Sequence, residues 1–152
     1  MCDTEQEAQT GPPAECQLHE AYYSQLVRLA ALLTGDPDAA EEVACAAIAA
    51  LPLSLAPGGA PSDDVTRYLH RQVLIRCRHT RPRQPGTPDF AGLPVVRALQ
   101  ALPPYGREAV VLMHYLDLSR PQAAIVAGVS EAVLQKRLGR AMQMLHVRLP
   151  PG

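Results

Sequence analysis

Asp117-Leu118-Ser119-Arg120-Pro121-Gln122-Ala123-Ala124-Ile125-Val126-Ala127-Gly128-Val129-Ser130 is the stretch that decides the fold. Ser119 can cap a short helix, and Pro121 suits its first turn, where an amide N–H would lack a partner anyway. Gly128 tolerates the positive φ that a sharp stop demands. Ser130 can then cap a longer helix running from Glu131 to Leu149. Ala124, four residues before Gly128, is small enough for two helices to cross closely. A short helix, a tight turn and a capped helix carrying Lys136, Arg137 and Arg140 make the pattern of a helix-turn-helix, whose second helix enters the major groove of duplex DNA.

Working outward from that motif, the rest also reads as helix. Pro104 can open a helix reaching about Leu116, with Ala109, Leu112, Met113 and Leu116 buried. Residues 95–102 form a short helix ended by Pro103-Pro104. Residues 82–94 are rich in Pro and Gly and lack periodicity, which makes them a flexible linker. Asp63-Asp64 opens a helix to about Arg81. At 100° per residue, Arg67, Arg71, Arg78 and Arg81 form a basic stripe, with Val65, Leu69 and Val73 broadly opposite and Arg76 on the apolar side. Residues 52–62 hold three prolines and two glycines and read as a loop. Residues 37–51 form a helix with seven alanines and its acids, Asp38, Glu41 and Glu42, near its start. Leu18, Tyr22, Leu26, Leu29 and Leu33 recur at helical spacing until Gly35 stops them. Residues 1–15 are polar and read as a disordered tail. The expectation is an all-α protein of seven helices and two small helical domains, residues 16–81 and 95–152, joined by the flexible linker 82–94.

Charge divides the chain. The formal net charge is −1 over 152 residues. Residues 1–65 hold one arginine against eleven carboxylates, a net of −10, while residues 66–152 hold thirteen cations against four carboxylates, a net of +9. The basic half suggests a polyanionic partner and the acidic half a different one, such as a basic protein surface. The competing explanation is two solvated faces that attract one another.

Several classes of function find no support. The four cysteines, Cys2, Cys16, Cys45 and Cys77, form no CxxC pair, and a zinc site assembled from Cys16, His19, Cys77 and His79 matches no known finger spacing. Cys45 and Cys77 read as small apolar packers. No metal or other cofactor is expected. There is no nucleophile elbow around a serine, and Gly58-Gly59 lacks the Lys-Ser/Thr of a phosphate loop. No stretch approaches the ~20 apolar residues of a membrane span, and the acidic, polar start does not read as a signal peptide. The expected setting is cytoplasmic, with no membrane partner and no enzymatic activity.

Three stretches, in order, resemble the extracytoplasmic-function group of bacterial sigma-70 factors. The first runs Leu26-Val27-Arg28-Leu29-Ala30-Ala31-Leu32-Leu33-Thr34-Gly35-Asp36-Pro37-Asp38-Ala39-Ala40-Glu41-Glu42-Val43. The second is Tyr68-Leu69-His70-Arg71-Gln72-Val73-Leu74-Ile75-Arg76-Cys77-Arg78. The third comprises Ala101-Leu102-Pro103-Pro104, Arg107-Glu108-Ala109-Val110-Val111-Leu112, Tyr115-Leu116-Asp117-Leu118-Ser119 and Gly128-Val129-Ser130. The resemblance implies partners and roles. Core RNA polymerase would bind through Glu41, Glu42 and the helix around Cys45. Promoter DNA would be met at its −10 element by the loop 53–63, with phosphates held by Arg67, Arg71 and Arg78. The −35 element would be met by Ser130, Glu131, Val133, Lys136, Arg137 and Arg140. An anti-sigma factor is a further partner that the resemblance raises. The chain departs from the family in places. Cys45, Ala46 and Ile48 stand where a Gln-acid pair and a large aromatic are usual. The promoter-reading loop has no aromatic to stack on a base. Val133-Leu134-Gln135-Lys136 replaces a Thr-Val-Lys-Ser run. These departures leave open an alternative, a sigma-like regulator that binds DNA or polymerase without melting promoters.

Overall fold

The computed structural model describes residues 14–52, 54–55, 62–80 and 93–148. Within them lie seven α-helices and no strand: α1 (Ala14–Thr34), α2 (Pro37–Ala49), α3 (Asp63–His79), α4 (Pro94–Gln100), α5 (Pro104–Val110), α6 (Arg120–Ala127) and α7 (Glu131–Arg148). Residues 1–13 of the expected tail, 82–92 of the expected linker and most of the loop 53–63 lie outside the described residues, and α4 begins at Pro94, inside the stretch expected to be linker. The first helix starts at Ala14, inside the stretch expected to be a tail.

The caps follow from local chemistry. Gly35 ends α1 at φ 72°, its N–H bonded to the Ala31 carbonyl at 2.8 Å. Asp36 accepts from the backbone N–H of Asp38 (3.0 Å) and Ala39 (3.4 Å), and Pro37 fills the first turn of α2. Ser62 does the same for α3, accepting from Val65 N–H at 3.2 Å. The α5 helix does not run on regularly to Leu116. It widens into a π-type turn over Val111–Tyr115, with Leu116 N–H bonded to the Val111 carbonyl at 3.0 Å. Leu118 N–H then reaches back to the Leu112 carbonyl at 3.1 Å, with Asp117 between them at φ 55°. Aspartate is among the few side chains that enter the left-handed region readily, so the chain leaves the helix here without proline or glycine.

The helices bury one continuous core. In the first half Leu26, Leu29, Val65, Leu69 and Val73 are fully buried, and the same cluster extends to Leu112, Ala123 and Leu134. The alanine-rich α2 buries Ala39, Ala40, Val43, Ala44, Ala47 and Ile48, and turns Glu41, Glu42 and Cys45 outward. Its small side chains allow close approach to α1, its main neighbour. Cys45 is therefore exposed and not an apolar packer. Cys77 is largely enclosed, and burial pushes its thiol up to about 12.

Two of the backbone-directed contacts that join the halves come from α4 and α5. Gln100 donates to the Leu32 carbonyl at 2.9 Å. Arg107 donates to four carbonyls: Leu33 (2.7 Å), Leu99 (2.8 Å), Leu102 (3.1 Å) and Gln100 (3.2 Å). A single guanidinium thus caps the carboxyl ends of α1 and α4, where a cation is electrostatically favoured.

Candidate nucleic-acid interface

The α6–turn–α7 unit has the geometry of a helix-turn-helix. Ser119 and Gln122 form a reciprocal capping box at the start of α6: Gln122 N–H donates to the Ser119 hydroxyl at 3.3 Å, and Ser119 N–H donates to the Gln122 side-chain oxygen at 3.0 Å. Gly128 closes α6 at φ 75°, with its own N–H and that of Val129 both bonded to the Ala124 carbonyl. Ser130 accepts from Val133 N–H at 3.2 Å and opens α7. Ala123, Ala124, Val126 and Ala127 of α6 and Leu134 of α7 are buried, with Val126 turned toward α3. Behind them α5 crosses α7 with Gly106 against Ala141; a Cβ at Gly106 would lie 3.3 Å from that methyl. The buried face fixes the exposed one. Ser130, Glu131, Val133, Lys136 and Arg140 are exposed on the first turns of α7, the part of such a helix that meets base edges and phosphates. Arg137 is half-buried, its guanidinium 4.4 Å from the centre of the Tyr105 ring.

The α3 arginines are not equivalent. Arg67 is exposed and sits 3.8 Å from Asp64, an exposed pair that constrains it little. Arg71 donates from Nη1 to the Ile125 carbonyl at 2.9 Å. Arg78 makes a two-pronged pair with Glu108, Nε to Oε2 and Nη2 to Oε1, both at 2.8 Å, and Nη2 also reaches the Ala127 carbonyl at 3.0 Å. Its guanidinium lies 5.4 Å from the Tyr105 ring centre. The hydrogen bond to Glu108 holds the Arg78 guanidinium above its ordinary value. Glu108 is only 4% exposed. Arg71 and Arg78, read from sequence as phosphate ligands, here bond the protein's own α5 and α6. The stripe expected of them begins at Arg67 and runs into the helix-turn-helix.

Glu41, Glu42 and Cys45 come together on the exposed face of α2. Beside them an open groove of about 490 Å³ runs between α2 and α3, lined by Glu42, Ala46, Ile75 and Arg76. Arg76 Nε is buried there without a hydrogen-bond partner among the described residues. No group of metal-ligating side chains occurs among the described residues, and none of the described helices is long and apolar enough to cross a membrane. Sequence reasoning gave Tyr105, Arg107 and Glu108 no structural part. Glu108 carried one signal: it is one of four carboxylates in the basic half and is flanked by core positions.

Residues 93–145, which include α6, the turn and all but the last three residues of α7, match the family model described as Sigma-70, region 4. No curated protein sequence is significantly similar to the chain. Among solved structures, the fold is similar to that in the co-crystal structure of the sigma factor RpoE in complex with the anti-sigma factor NepR from Bartonella quintana. The TM-score is 0.62 at 18% sequence identity, over 98% of each chain.

Proposed function

We propose that this chain, one segment of which matches sigma-70 region 4, is a sigma-70 family protein and an extracytoplasmic-function sigma factor that joins core RNA polymerase to promoter DNA. The observation that carries this reading is the exposed row Ser130, Glu131, Val133, Lys136 and Arg140 on α7, which lies inside the segment matching region 4 and is presented by a capped helix-turn-helix. Lys and Arg in such a row release counterions from phosphate and give salt-dependent affinity, while the remaining side chains face base edges. Glu41, Glu42 and Cys45 form the polymerase-facing surface of the acidic half, and Arg67, Arg71 and Arg78 serve the −10 side. The domains divide the work: residues 16–81 grip polymerase and the −10 element, and residues 95–152 read the −35 element. Two linked modules of modest affinity gain from effective concentration, so neither need bind tightly alone. The protein acts without chemistry of its own, in the cytoplasm, and an anti-sigma factor is its natural antagonist, as NepR is bound to RpoE in the similar structure.

The alternative, a sigma-like regulator that cannot melt promoters, is favoured by the absence of any aromatic side chain in residues 53–63. Stacking on an aromatic contributes roughly 1–3 kcal/mol per base. Run-off transcription with purified core polymerase on supercoiled and pre-melted templates separates the two. Transcripts from both templates support the sigma factor, and transcripts from the pre-melted template alone support the regulator. Failure to co-elute with core polymerase, together with failure to bind duplex DNA at low ionic strength, refutes both.

A further inference from the structure

The α3 arginines meet, within the protein, the chemistry that phosphate would offer them. A carboxylate gripped by both prongs of a guanidinium is close in geometry and charge to a gripped phosphate. Arg78 has that carboxylate in Glu108, at 2.8 Å on both prongs. Arg71 and Arg78 also reach the carbonyls of Ile125 and Ala127, which form the carboxyl end of α6 and carry the negative end of its dipole. The turn is shaped for this approach: a Cβ on Gly128 would sit 3.2 Å from Arg71 Nη1. Tyr105, one turn before Glu108 on α5, offers its ring to Arg78 and Arg137 together.

We propose that α5 and α6 form an internal lock on α3, in which Glu108 and the α6 carboxyl end occupy Arg78 and Arg71 in place of nucleic-acid phosphate. The lock rests on the sigma-factor reading for what those arginines do once released. It leaves the α7 row exposed, so the two DNA-binding surfaces are unequal in the closed molecule. The −35 surface is ready and so is Arg67, while Arg71 and Arg78 are held until α3 parts from α5 and α6. The order of engagement follows: the duplex is met first through α7, and the phosphates then compete with Glu108 for Arg78. The lock is also reversible, because nothing covalent holds it and its charged contacts weaken in the field of a polyanion.

Glu108 tests the lock, since it carries the wrong charge for binding DNA and lies behind Arg78. The full-length chain and its Glu108→Gln variant are titrated with a fluorescein-labelled mixed-sequence duplex over a series of salt concentrations. Unlocking removes the closed state's share of the apparent dissociation constant, so Glu108→Gln binds about tenfold more tightly. Its log–log salt slope steepens by about 0.9 for each phosphate gained by a freed arginine. Equal or weaker binding with an unchanged slope overturns the lock, as does a gain matched by Asp117→Asn, which removes the same charge from the exposed turn after α5. Circular dichroism checks that the variant is folded, and Glu108→Asp, which keeps the charge but shortens the reach, replaces it otherwise. A second readout needs no variant. Cys77 is enclosed on α3 next to α5, and Cys45 is exposed. On the native chain, added duplex speeds alkylation of Cys77 relative to Cys45 if the lock opens, and an unchanged ratio with duplex bound overturns it. Absence of duplex binding by native chain and variant alike removes the sigma-factor reading and the lock with it, whereas duplex binding that is indifferent to Glu108 removes the lock alone.

Discussion

Arg107 is a cation whose loss the fold feels strongly. Its guanidinium donates to the carbonyls of Leu33, Leu99, Gln100 and Leu102 at 2.7–3.2 Å. Burial lowers its affinity for its proton, so the site holds a charge that has lost solvent and gained four acceptors. A hydrogen bond to a charged group contributes about 1.5–3 kcal/mol, and bonds sharing one group are far from additive. Arg107→Met keeps the aliphatic stem, removes all four donors and strands carbonyls at the ends of α1 and α4. The two shortest bonds dominate, which gives a loss of about 3–4 kcal/mol, a large part of the stability of a domain this size. At about 2–4 °C per kcal/mol the melting temperature drops by about 10 °C. Arg107→Lys restores less than half, because one ammonium cannot span two helix ends. Urea denaturation followed at the helical band of circular dichroism measures both. A Met variant within about 1 kcal/mol of the native chain, or a Lys variant equal to it, refutes the claim that this guanidinium ties the halves together.

The other predictions are more local. Replacing Lys136 and Arg140 with Ala weakens duplex binding and flattens the log–log salt slope by about 0.9 per lost phosphate contact, read by fluorescence anisotropy; an unchanged slope contradicts the placement of α7 in the groove. Charge reversal at Glu41 and Glu42 reduces co-elution with core polymerase and leaves duplex affinity alone, and equal loss of both would contradict the division of labour. Gly128→Ala destabilises by about 1 kcal/mol or more in chemical denaturation, because its backbone sits at φ 75° and the new methyl presses on Arg71. His70 is 7% exposed, and burial lowers its pKa below the ordinary 6.5. The unfolded chain therefore binds a proton that the folded one resists. The contribution is complete above pH 6.5 and is lost as pH falls through the lowered folded value. Denaturation midpoints on either side of that range, compared with those of His70→Gln, isolate the effect, and identical pH profiles would contradict it.

The features legible in the sequence and those that were not differ in the distance over which their causes act. Ser119, Gly128, Ser130, Asp36 and Gly35 act within four residues of themselves, and their caps and stops follow from backbone chemistry that any reader of the chain can apply. The apolar spacing of α1 and α3 likewise fixes which face is buried before any partner is known. The α3 stripe is a different problem. An arginine at the right angle on a helix looks the same in sequence whether it faces water, phosphate or a carboxylate. What Arg78 meets is decided by Glu108, thirty residues away, and what Arg71 meets by the carbonyl of Ile125, fifty-four away. A backbone carbonyl leaves no trace in the sequence at all, so the four acceptors of Arg107 could not have been read from any side chain. The π-type turn over Val111–Tyr115 was hidden for a similar reason, since Ala109, Leu112, Met113 and Leu116 suit a regular helix equally well. The helix-turn-helix was therefore legible as a fold, while the contact that holds α3 against it was not. An arginine binds whatever anionic groups the fold brings within reach, and here the fold brings Glu108 and the carboxyl end of α6.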